Sequence, residues 1–237
     1  MSVDPCDDPI APLLEVVRSH FNSETFSDVD VVCANDDAYK CHRLVLSQSP
    51  VLAKALDPQL GFKESTRGVI ELNNDDPSAV KAMLEFLYTF DYTDPNGADY
   101  SKILLFDAEM YALGEIYAIS SLKKLAKKRF QDMFERPLDG HIIAPAIRAI
   151  YDTTPETDRG LRDVVVASCK PRIRSLLKDD DFNEMMDNVG PFGKDLLLYK
   201  DDYTFIPVEE FQRRQKNGTR LLMRVSYCIT ELRPESR

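Results

Sequence analysis

Apolar residues change their spacing several times along this chain of 237 residues, and each change marks an element. Between Ala11 and Phe21 they recur at Leu13, Leu14, Val17 and Phe21, with Val16 beside them. That spacing predicts one amphipathic helix, and it leaves open whether the apolar face covers the chain's own core or a second copy. After the polar residues Asn22–Thr25 the period shortens. The β-branched runs Val29–Ala34 and Ala38–Cys41 predict two strands joined by a turn at Asn35-Asp36-Asp37. Residues 39–56, YKCHRLVLSQSPVLAKAL, then pass through a His-Arg corner into two short apolar turns, Leu44–Leu46 and Val51–Leu56. Ser49 can accept from the free N–H groups of the second turn, and Pro50 stands where a missing N–H costs nothing. Two apolar turns this close are expected at the buried centre of a domain.

Residues 57–66 read as a loop carrying Phe62-Lys63-Glu64, followed by a third strand at Val69–Leu72 and a polar turn at Asn73–Asp76. Pro77 opens a helix with the face Val80, Met83, Leu84, Leu87 and Tyr88, and Asp94-Pro95-Asn96-Gly97 is its expected stop. Residues 99–134 are predicted helical in two or three pieces around Gly114. Pro137 and Gly140 mark the expected domain boundary. From 141 to 200 the pattern is all-helical: Ile142–Tyr151, Asp158–Cys169, then shorter helices after Pro171, Asp180 and Pro191. Asp158 and Asp180 are expected N-caps, and Gly190 an expected stop. The organisation predicted is a loose N-terminus (1–10), an α+β domain (11–134), a helical extension (135–200) and a tail (201–237) with a strand-like run at 221–229.

Charge sharpens this picture. The net charge of −10 is uneven: residues 1–100 hold 18 Asp/Glu against 7 Lys/Arg, whereas residues 101–237 hold 22 against 23. An acidic front argues against nucleic acid there, because phosphate contacts need clustered Lys/Arg, and it suits basic protein surfaces. The run Lys123-Lys124, Lys127-Lys128-Arg129 alternates with Leu122, Leu125 and Ala126 and reads as a solvated helix face. Five scattered cysteines (Cys6, Cys33, Cys41, Cys169, Cys228), with no signal peptide at Met1–Ile10, predict reduced thiols in a cytoplasmic or nuclear protein. No apolar run reaches the length of a membrane span.

Catalytic chemistry finds little footing. Cys33, Cys41 and His42 suggest a metal, since Cys33 is expected near Cys41 on the paired strand, but His20 and His141 are too isolated to complete a ligand set. There is no Gly-x-Ser-x-Gly elbow, and Gly190-Pro191-Phe192-Gly193 lacks the Lys-Ser/Thr of a phosphate loop. The expectation is no enzyme, no metal and no cofactor.

Taken together, FSDVDVVC (26–33), YKCHRLVLSQSPVL (39–52), FKES (62–65), IELNNDDPSAVKAMLEFLYTFDY (70–92) and YALGEIYAISSLKKLAKKRF (111–130) resemble the BTB/POZ family in order and spacing. The stretch AIRAIYDTTPETDRGLRDVVV (146–166) looks like the helical extension of many short fungal members. The resemblance implies a sheet of about three strands capped by helices, acting as a protein–protein interaction module that pairs with itself or with another BTB protein. It implies a dimer face at Leu13, Leu14, Val17 and Phe21. It further implies that Phe62 and Glu64 are similar to the hydrophobic-x-Glu motif with which cullin-binding members engage their scaffold; the bland alternative is that Phe62 packs on its own domain. Asp28 and Arg43 match a charged pocket of transcriptional members, with a structural pair at the sheet–helix junction as the favoured alternative. His42 belongs to the family's structural core, and Ser49 is assigned with it. The function implied is a dimeric adaptor linking an unidentified client to a cullin-type ubiquitin ligase. The alternative is an oligomerisation scaffold, for example in transcriptional regulation.

Overall fold

A computed structural model describes residues 9–199. Three short strands, β1 (Val29–Cys33), β2 (Ala38–Cys41) and β3 (Val69–Leu72), form one sheet in the order β2–β1–β3. β1 and β2 are an antiparallel hairpin with Val31 opposite Tyr39, and β3 lies parallel to β1 with Ile70 opposite Val31. Parallel neighbours need a crossover. Residues 43–67 supply it as α2 (Arg43–Leu46), α3 (Pro50–Ala55), a 3₁₀ turn at Pro58–Leu60 and α4 (Lys63–Arg67). The stretch expected to be loop is therefore partly helical, because Asp57 caps the 3₁₀ turn and left-handed Gly61 and Gly68 bracket α4.

Within the crossover only part of the apolar sequence is buried. Leu46, Leu52 and Leu56 are inside, whereas Leu44 and Val51 face out. A helix of one turn has a single inward side, so it cannot bury consecutive residues. Ser49 behaves as expected: its hydroxyl accepts from Leu52 N at 3.1 Å and donates to Tyr117 O at 2.7 Å.

Before the sheet comes α1 (Ala11–Ser19); after it, α5 (Pro77–Thr89) crosses the centre of the domain. Asp76 accepts from Ser78 N and Ala79 N, and all five predicted face residues are buried. α5 stops at Thr89, before the expected Asp94–Gly97 stop, with Phe90 in the left-handed region at φ 59°. α6 (Tyr100–Ile116) and α7 (Ser120–Phe134) follow. Gly114 does not divide them: α6 runs through it, and the break falls at Ala118, φ 55°. What Gly114 provides is proximity, since a Cβ there would stand 2.7 Å from the backbone nitrogen of Lys123.

The C-terminal helices are α8 (Gly140–Thr153), α9 (Gly160–Cys169), α10 (Ile173–Leu176), α11 (Asp180–Asn188) and α12 (Gly190–Leu198). Two expected caps move by one residue. Asp179, not Asp180, caps α11 by accepting from Phe182 N, and Asp158 lies one residue before Arg159, the residue preceding α9. Gly190 opens α12 instead of stopping a helix. These helices fold into the same compact unit as the sheet, with α8 against α6 and α9 against α7. Asp158 fastens the junction: Tyr111 Oη donates to one carboxylate oxygen at 2.6 Å and Lys123 Nζ to the other at 2.7 Å. A Cβ at Gly160 would collide with Tyr111 Oη at 1.8 Å, so the fastening demands glycine there. The predicted strand at 221–229, the rest of the tail, residues 1–8, Cys6 and Cys228 lie outside the described residues.

Candidate interaction surface

No residue of α1 is buried. Leu14 and Val17 are half-buried as the helix packs on α5, and Phe21, two residues past its end, stacks on Tyr39 and tilts against Tyr88. Leu13 points away, at 63% exposure, together with Ile10 and Val16. The structure thus divides the predicted dimer face. Three of its four residues turn partly toward their own domain, and the outer stripe is Ile10, Leu13 and Val16. Their i, i+3, i+6 spacing was a usable signal. Covering such side chains returns up to about 1.5–3 kcal/mol each. Arg18 holds the helix down by donating to Thr89 O at 3.3 Å. Phe26 prolongs the apolar exposure: it is 83% exposed, sits at φ 61° and stacks with His20. No sequence pattern singles it out, because an isolated phenylalanine before a strand reads as core.

Asp28 and Arg43 do meet, but not as two side chains. Asp28 Oδ1 accepts from the backbone N–H of Arg43 at 2.8 Å, at the start of α2. The Arg43 guanidinium donates to three backbone carbonyls instead: Asp28 O (3.3 Å), Leu56 O (3.1 Å) and Ser65 O (3.0 Å). Those carbonyls belong to the entrance of β1, the end of α3 and α4, so one planar cation braces three segments. Ser65 Oγ in turn donates to Phe62 O at 2.7 Å. Phe62 occupies the residue preceding α4, in extended conformation and 49% exposed, and Glu64 lies half-buried in the first turn. The two motifs read separately in sequence are physically connected: Arg43 fixes the turn that presents Phe62.

His42 has no free ring nitrogen. Nε2 lies 2.8 Å from Thr25 O, which only a donor can satisfy, and Nδ1 lies 2.8 Å from Tyr88 Oη. Tyr88 Oη itself accepts from His42 N at 3.0 Å. Cys33 and Cys41 are not cross-strand neighbours. Cys41 pairs with Val29, at the opposite end of β1 from Cys33. Among the described residues no three His, Cys, Asp or Glu side chains cluster as metal ligands. Burial pushes the Cys41 and Cys169 thiols up to about 12, which keeps them protonated. In the basic run, Lys123 is committed to Glu115 and Asp158, and Arg129 to Asp91 and the Tyr92 ring. No helix among the described residues is long and apolar enough to cross a membrane.

Comparison with known proteins agrees with this architecture. The BTB/POZ domain model matches residues 17–133, from within α1 almost to the end of α7. No curated protein matches the sequence. Domains of this kind are protein–protein interaction modules. With their three-stranded sheet and cap of helices, residues 17–133 are a BTB/POZ domain, and a helical C-terminal part follows them.

Proposed function

We propose that the chain is a non-catalytic, dimeric BTB adaptor that presents a client to a cullin-type scaffold of a ubiquitin ligase. The observation that carries this reading is the turn at Phe62. An aromatic ring half out of water, on a backbone fixed by Ser65 and Arg43 and two residues ahead of a carboxylate, has the character of a hot-spot anchor. The outer stripe of α1 supports self-association, since Leu13 and Val16 are mostly exposed among the described residues. The occupied ring nitrogens of His42 support a structural role over a catalytic one. A client would bind helices α8–α12 or the tail, or come through a dimer partner.

A purified preparation titrated with a cullin N-terminal domain, with light scattering alongside, tests the proposal. Micromolar or tighter binding, weakened at least about tenfold in the Phe62→Ala/Glu64→Ala protein, is expected, since losing one anchor costs about 1.4 kcal/mol or more. The same unburied α1 stripe equally supports the second reading, an oligomerisation scaffold without a ligase role. Dimers that show no cullin affinity would sink the adaptor and leave that scaffold.

A further inference from the structure

Where the α7–α8 connection (residues 135–139) meets the segment after α9, the surface folds in around a cavity of about 340 Å³. Leu138 and Asp139 line it from one side; Arg172, Ser175, Lys178 and Asp179 line it from the other. Residues 170–178 are a 3₁₀ turn (Lys170–Arg172), α10 and the two residues after it. They hold four cations and no carboxylate, in a chain whose net charge is −10. Arg172, Ser175 and Lys178 recur at every third position, so successive turns bring all three to the cavity side. Lys178 N donates to Ser175 O at 3.2 Å, which fixes that spacing. Arg172 is half-buried; its guanidinium donates to Ser168 O at 3.3 Å and Leu138 O at 2.9 Å, and Nη2 has no acceptor. Among the described residues neither Arg172 nor Lys178 pairs with a carboxylate, and the exposed Ser175 hydroxyl takes no hydrogen bond.

We propose that Ser175 is a phosphorylation site, and that Arg172 and Lys178 hold in the cavity the phosphate it receives. A serine kinase with an acidic substrate groove matches the cations of residues 170–178 by charge. Because α10 is a single turn, presenting Ser175 in extended form opens few backbone bonds. The kinase transfers the γ-phosphoryl group of ATP to Ser175 Oγ. The new O–P bond forms as the bond to ADP breaks, and the hydroxyl proton leaves to the kinase's base. The phosphate carries about −1.5 to −2 charges and three acceptor oxygens, which suit charge-assisted donors on either flank. Asp179 does not claim those donors, since its oxygens accept from Phe182 N at 3.1 Å and His141 N at 3.0 Å. Asp139, exposed on the opposite side, repels the phosphate toward the two cations. Modification thus cancels up to about two of the four charges and removes a surface suited to acidic partners.

Incubating the full chain with ATP, Mg²⁺ and the catalytic subunit of the cyclic-AMP-dependent kinase, a basic-directed enzyme, tests the site by mass spectrometry. Phosphate is expected on Ser175, with correspondingly lower incorporation in Ser175→Ala. Phosphorus NMR then reads how the phosphate is held. Its second ionisation is expected about half a pH unit lower in the wild type than in Lys178→Ala, the scale of one exposed ion pair. Lys178 is exposed and follows Ser175, so this variant keeps both the fold and the cations that precede the serine. A wild-type chain that takes no phosphate at Ser175 overturns the proposal. So does an ionisation that Lys178→Ala leaves unmoved, because the phosphate would then stand free in solvent.

Discussion

Helices α1 and α6 both read in sequence as apolar segments in need of cover, yet the folded chain treats them oppositely. α6 is enclosed on several sides: Leu104, Phe106, Met110, Tyr111 and Leu113 are buried, Gly114 lets α7 approach, and Tyr111 reaches Asp158. α1 has no fully buried residue, rests Leu14 and Val17 half-buried on α5 and keeps Leu13 and Val16 in the open, with Arg18 to Thr89 O as a tether. Hydrophobic periodicity states that a face must be covered; it does not name the cover. For α6 the cover is this chain. For α1 the proposal is a second chain.

The comparison breaks first at the crowded end. Gly114→Ala forces a methyl against the Lys123 backbone, and an unfolding titration is expected to show a loss of about 3 kcal/mol. Asp158→Ala is next. It strips the acceptor from Tyr111 and Lys123 and is expected to cost about 1–2 kcal/mol by the same measurement, the lower end reflecting the partly exposed lysine. Burial alone would raise the Asp158 carboxyl, but the hydrogen bonds from Lys123 and Tyr111 outweigh it and hold it below the ordinary range. This contribution is therefore present above about pH 4 and is lost as pH falls through the lower folded value, a loss Asp158→Ala should not show.

Phe90 gives a gain instead. It sits at the left-handed position ending α5, where a side chain is penalised and glycine is not. Phe90→Gly is expected to raise the midpoint of thermal unfolding by an amount worth about 0.5–1 kcal/mol, less what the Phe86 ring contact contributes. At the open end, Leu13→Asp/Val16→Asp is expected to leave stability within about 0.5 kcal/mol while converting dimers to monomers by light scattering. A destabilisation like that of Gly114→Ala would mean α1 is core after all.

Elements were legible in the sequence where one period ran long enough to declare itself. The strands and the buried face of α5 emerged that way, from residues local to each element. Glycines were not legible, because their reasons are tertiary: Gly114 serves Lys123 and Gly160 serves Tyr111, neither of which is close in sequence. The short helices misled for a different reason. Leu44 and Val51 are as apolar as Leu46 and Leu52, and in a single turn only three-dimensional packing decides which goes inside. At the interaction surface, Phe62 and Glu64 could be nominated as types, but the acceptors of Arg43 come from residues 28, 56 and 65. No local pattern joins those three carbonyls.

That brace bears on how the proposed docking turn tolerates change. Arg43 grips main-chain oxygens only, so the side chains at 28, 56 and 65 carry none of its three bonds. The posture of the turn is thereby separated from its chemistry. Ser65 apart, whose hydroxyl bonds Phe62 O, substitutions around Phe62 are expected to change what the proposed surface recognises without altering how it is held. A change at Arg43, which is not itself the contact, is expected to disturb every specificity written there.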